Sequence, residues 1–209
     1  MRAALLFAAL VGASAMSART AAAQEPRFTG RLSPAARSAV EAVLDSARQT
    51  GLPIEPLVDR ALEGAAKGAA DNLIVGAVRR LAADLGNASA ALGLGASDDE
   101  IAAAASALRA GARAADLTAL RERRPGRSVT VAAAVLTDLV ALGVPPDTAT
   151  AAVLAMADLA DDAGYLAFRR NVERDVALGA TPLAALTVGL AAEGTTDLGT
   201  RTPTRARKP

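Results

Sequence analysis

The chain has 209 residues, enough for one domain with a real core, yet much of its 52% apolar content is alanine and only 2% is aromatic. A net charge of +1 comes with neither histidine nor cysteine, which excludes disulfides, thiol chemistry, lipid-modified cysteine and histidine-based acid–base or zinc chemistry. Strand-forming β-branched and aromatic residues are sparse while alanine, leucine and arginine favour helix, so the composition predicts an all-α fold.

Residues 1–23 have the layout of a secretory signal peptide. Arg2 precedes an apolar run from Ala3 to Val11, and Ala-x-Ala sites follow at Ala13–Ala15 and Ala21–Ala23, with cleavage expected before Gln24. The run is short of the roughly 20 residues a membrane span needs. The best later segment, VTVAAAVLTDLVALGV, is interrupted by Asp138, so no integral span is expected in the mature chain. The protein is therefore expected to be exported, periplasmic or secreted. Residues 24–32 read as a linker, 33–193 as a helical domain and 194–209 as a disordered basic tail. That tail carries +3 and Arg2 and Arg19 precede the domain, which leaves a body of −4 between them.

From residue 33 onward helix start and stop signals recur. Ser33-Pro34 opens the first helix, 34–49, in which Val40, Val43, Leu44 and Ala47 share a face. Gly51-Leu52-Pro53 reads as stop, connector and start. Glycine past a helix end takes the left-handed conformation that closes the last turn, and proline in a first turn loses no hydrogen bond. The helix so opened, 53–66, aligns Leu57, Ala61, Leu62 and Ala65. A third helix covers 71–85, with a separate short turn at 88–92. Ser97-Asp98-Asp99-Glu100 has the capping-box layout and opens a helix over 98–110. Helices over 115–124 and 128–142 follow, the second aligning Val135, Leu136, Leu139 and Leu142. Gly143-Val144-Pro145 repeats the earlier punctuation before a helix over 146–161. Helices over 164–178 and 182–192 complete the series, with Thr181 as N-cap of the last. Short connections predict antiparallel neighbours.

Gly51 and Gly143 lie 92 residues apart with Ser97 midway, which suggests a unit of 46 residues. At that offset Ala61, Ala107 and Val153 coincide, as do Leu62, Leu108 and Leu154, and Ile74, Leu120 and Leu166. The period resembles HEAT and armadillo units in length and helix order, without the consensus residues of either. The expected fold is an array of short antiparallel helices, either such a repeat with end caps at 34–49 and 182–192 or a non-repetitive helical bundle.

Paired arginines recur at Arg79-Arg80, Arg123-Arg124 and Arg169-Arg170. Stacked units would align them as a ridge able to grip carboxylates or phosphates bidentately; the same pairs also suit a solvated face with Glu122 and Glu173 as partners. The densest basic stretch, RERRPGR, falls at a helix end, where cations oppose the helix dipole. Asp158, Asp161 and Asp162 share a helical face, but the glycine-bearing loop of an EF-hand is missing and Asp162 suits a helix cap. Serine-elbow, phosphate-loop and zinc-protease motifs are absent, so no catalytic, cofactor or metal residue is expected. After the leader only Phe28, Tyr165 and Phe168 offer stacking rings, and the body is acidic, which argues against nucleic acid. The function expected is that of an exported, non-enzymatic module that binds or scaffolds an envelope or extracellular protein. The alternative is a carrier of an apolar small molecule between helices.

Overall fold

A computed structural model describes the backbone of residues 25–200 and the side chains as far as residue 192. The leader at 1–23 with its cleavage sites, and the basic residues 201–209, lie outside the described residues. Those described form a 3-10 turn at Pro26–Phe28 and nine α-helices, with no strand among them. The helices are α1 (Pro34–Gln49), α2 (Glu55–Ala66), α3 (Asp71–Leu92), α4 (Asp98–Ala110), α5 (Ala114–Arg123), α6 (Thr130–Ala141), α7 (Pro146–Met156), α8 (Asp162–Ala177) and α9 (Pro182–Thr200). The all-α expectation holds. None of the described helices is long and apolar enough to cross a membrane.

Two helices organise the packing. α3 contacts α1, α2, α4 and α5, and α6 contacts α4, α7 and α8, with α9 laid against α8. The buried set is dominated by alanine, leucine and valine, and the small alanines let neighbouring helix backbones approach closely. The expected faces point inward: Val40, Leu44 and Ala47 on α1, Leu57 and Ala61 on α2, and Val135, Leu136 and Leu139 on α6 are all buried. Phe28, Tyr165 and Phe168 are each fully buried, so the few rings serve the core.

The punctuation has a uniform backbone cause. After α1, Gly51 has φ 68° and the Leu52 N–H reaches back to the Ala47 carbonyl at 2.9 Å. After α6, Gly143 has φ 99° and Val144 bonds Leu139 at 3.0 Å. Both are Schellman closures, in which a left-handed glycine redirects two N–H groups onto the last carbonyls. The same pair of bonds closes α2, α4 and α8, so the signature marks helix ends in general and does not by itself mark a repeat. Helix content differs between the blocks as well: residues 51–96 hold α2 and α3, whereas 97–142 hold α4, α5 and α6. Of the aligned triplets, Ala61, Ala107 and Val153 are all buried.

Gly111 is the most constrained of these closures. Its φ is 110°, and a Cβ there would lie 2.9 Å from Pro146 Cγ at the start of α7. Gly111→Ala therefore combines left-handed strain with a clash against a rigid ring. Urea unfolding should show a loss of about 2 kcal/mol at unchanged m.

Several boundaries move for local reasons. α2 starts at Glu55 with Pro56 in its first turn, while Pro53 is buried in the connection. α3 runs unbroken through Gly86 and Asn87, absorbing the separate turn expected at 88–92. Leu85, Ala88 and Leu92 continue its buried stripe, and that burial outweighs the roughly 1 kcal/mol helix penalty of one glycine. α7 stops at Met156, short of 161. Asp161, and not Asp162, caps α8, its Oδ1 accepting the Gly164 N–H at 2.8 Å. α9 continues to Thr200, past the boundary at 193, since no proline follows Pro182 until Pro203.

Candidate functional site

The RERRPGR stretch is a clamp between helices. Arg124 is 1% exposed although it ends a surface helix. Its Nε donates to the Ser128 carbonyl at 3.0 Å, Nη1 to the Ala160 carbonyl at 2.7 Å and Nη2 to Asp162 Oδ1 at 2.9 Å. The guanidinium carbon stands 5.1 Å from the centre of the Tyr165 ring, a cation–π distance. Arg127 donates to the Ala157 and Ala160 carbonyls at 2.6 and 3.2 Å, and Arg123 to the Leu154 carbonyl at 3.1 Å. Helix ends leave carbonyls without intrahelical partners. Here three arginines from the α5–α6 connection take those at the end of α7 and in the turn before α8. Tyr165 completes the junction, its hydroxyl donating to the Val153 carbonyl at 2.8 Å. Burial pushes that phenol up to about 12, so it stays a neutral donor.

Glu100 ties three helices together. Its Oε2 accepts the Ser97 N–H at 2.9 Å, completing the capping box of α4. Oε1 accepts the Val129 N–H at 3.0 Å, at the start of α6. Arg121 of α5 brings Nη2 to 2.8 Å from Oε1, as an ion pair lying off the ideal hydrogen-bond direction. Burial raises the carboxyl pKa, but the Ser97 and Val129 N–H groups and the Arg121 charge together outweigh it and hold it at about 2.

Both features are internal. One surface with open binding capacity is a groove running along α2, α3 and α4. Its central recess has a volume of about 290 Å³ and is lined by Arg60 of α2, Arg80 of α3 and Arg109 of α4, with Leu81 below and Asp84 as its one carboxylate. Two recesses of about 330 and 240 Å³ adjoin it, and Arg60 lines all three. Arg60 donates to Glu63 Oε2 at 2.8 Å, and Lys67 pairs with the other oxygen of the same carboxylate. Those two cations lower the Glu63 pKa, Lys67 contributing most. Arg80 forms no ion pair with the described residues, and Arg109 reaches only Ser106 Oγ, at 3.5 Å. Two exposed guanidinium groups thus face a groove with an apolar floor and have donors to spare.

The six arginines expected to form a ridge are dispersed. Arg79 and Arg80 are exposed on α3, and only Arg80 lines the groove. Arg123 and Arg124 are committed to the α7 end, and burial removes Arg124 from any surface a partner could reach. Arg169 bonds Asp138 of α6 at 2.7 Å and approaches Glu173 at 3.3 Å, while Arg170 is exposed. The acidic trio is likewise structural: Asp161 caps α8, Asp162 pairs with Arg124, and Asp158 lies 4.0 Å from Arg123. Arg60 and Arg109 of the groove carry no signal in the sequence, because isolated arginines on separate helices converge only after α2 and α4 pack on either side of α3. Protein-family models, curated proteins and solved structures offer no match to this chain.

Proposed function

We propose that this is an exported, non-enzymatic helical module that binds a protein partner, and that the α2–α3–α4 groove receives a carboxylate-bearing, extended segment of that partner. The observation that carries the reading is the convergence on one recess of Arg80 and Arg109, which pair with no carboxylate among the described residues, beside Arg60, which Glu63 already pairs. The body as a whole is −4, whereas the groove is lined by Arg60, Lys67, Arg80 and Arg109 against Asp59, Glu63 and Asp84, and its guanidinium forks suit carboxylates. The apolar floor from Leu81 and Ala77 adds contact area for aliphatic side chains beside the acidic ones. The open, charged rim fits an extended polar segment better than the apolar small molecule of the carrier reading. The leader layout of residues 1–23 supports export.

Fluorescence anisotropy with labelled acidic, neutral and basic peptides of equal length tests the proposal. The acidic peptide should bind best, weaken as salt rises, and lose about tenfold in affinity in Arg80→Glu/Arg109→Glu, whose exposed positions leave the fold intact. Equal binding of all three peptides, or of the acidic peptide to both proteins, would refute it. For export, N-terminal sequencing of the chain recovered from a bacterial envelope fraction should begin at Gln24; a chain retaining Met1 in the cytoplasm would count against it.

A further inference from the structure

We infer that the α2–α3–α4 groove reads the order of residues in its partner. It takes two acidic side chains and then an aliphatic one at alternate positions of an extended segment, with the aliphatic residue at the start of α2. This rests on the binding of a carboxylate-bearing segment proposed above and adds where each side chain goes. The three recesses follow one another along α3. The recess nearest the α2–α3 turn extends from Leu73 to Arg80, the central one from Ala77 to Asp84, and the one beside Pro56 from Leu81 to Leu85. At 1.5 Å per helical residue this row is about 18 Å long, so neighbouring recesses lie about 6 Å apart. Alternate side chains of an extended chain point the same way about 7 Å apart, so three of them match the three recesses.

Each recess has an apolar part, and charge is what separates them. The recess at the turn sets Arg60, Lys67 and Arg80 against Glu63. The central one sets Arg60, Arg80 and Arg109 against Asp84. Beside Pro56 the balance is even, with Arg60 and Arg109 meeting Asp59 and Glu63. Glu63 is already engaged by Arg60 and Lys67, but Asp59 is exposed and forms no ion pair or side-chain hydrogen bond among the described residues. An acid placed there would stand beside an uncompensated like charge, whereas the buried Leu81 and Leu85 suit an aliphatic side chain. Arg80, which forms no ion pair with the described residues, lines both cationic recesses.

Two labelled peptides of one composition, each with two glutamates and one leucine separated by serines in a glycine–serine frame, decide the matter by fluorescence anisotropy on the full chain. In one, leucine follows both glutamates; in the other it stands between them. The leucine-centred order puts a glutamate beside Asp59 whichever way the peptide runs, so it should bind about fivefold more weakly, and the gap should narrow as salt rises. Asp59→Asn, at an exposed position without a partner, should bring the two affinities to within about twofold by strengthening the leucine-centred peptide alone. Equal affinities for the two orders in the parent, or a gap that Asp59→Asn leaves unchanged, would overturn the inference. If Arg80→Glu/Arg109→Glu then still weakened both peptides, the carboxylate reading would stand without the order. Failure of both peptides to bind the parent would overturn the two together.

Discussion

Arg124→Ala should cost about 4 kcal/mol of stability, the largest effect expected of any single side chain here. Truncation leaves a void where a 1%-exposed side chain stood, strips the donor from the Ser128 carbonyl and leaves the Ala160 carbonyl only the longer bond from Arg127. Its partner Asp162 is 49% exposed and can turn to water, so the ion pair contributes the smaller part of the loss. Most of it comes from the cavity, the unpaired Ser128 carbonyl, the weakened hold on Ala160 and the lost contact with Tyr165. Arg124→Lys keeps the charge but not the planar fork, so it should recover less than half. Urea unfolding at neutral pH measures both. A loss below about 1 kcal/mol in the alanine variant would mean that Arg127 alone holds the end of α7.

Glu100 governs the acid limb of stability. Its carboxyl moves from 4.5 to about 2 on folding, so the native state prefers the ionised form. A depressed carboxylate contributes fully above its unfolded pKa and loses that contribution as pH falls through the folded one. The window therefore runs from about pH 4.5 down to about 2, and the amount is about 3 kcal/mol. Glu100→Gln mimics the protonated form at every pH. It should be less stable than the parent by about 3 kcal/mol at pH 7, with the gap closing to under about 1 near pH 2. Parallel unfolding curves across that range are the check. A gap that stays constant through the window would show that the carboxylate's charge is not what joins α4, α5 and α6.

The two sites differ in how far the sequence announces them. Half of the Glu100 arrangement is a four-residue signal, since Ser97 and Glu100 satisfy one another's N–H groups within a single turn. The other half, the Val129 N–H and the Arg121 charge, comes from chain 21 or more residues away and has no local trace. Arg124 is the opposite case. Its sequence context, an arginine pair before Pro-Gly at a helix end, describes a solvated cation well, and it is buried because the end of α7 falls beside it. Arg60, Arg80 and Arg109 are ordinary exposed helix residues until α3 sets them around one recess.

What the sequence by itself determined is local: the all-helical class, the inward faces of α1, α2 and α6, and the helix ends at Gly51 and Gly143. Each follows from hydrophobic spacing or from a backbone conformation that glycine adopts without strain, and both act within a few residues. Tertiary structure decided which helices touch, and with that which arginines are buried, which pair and which face the groove. It also extended α3 across Gly86, because burial of Leu85, Ala88 and Leu92 exceeds the propensity cost of one residue. Charged side chains reach several ångströms from their own helix, so their partners are set by neighbouring elements rather than by neighbouring residues.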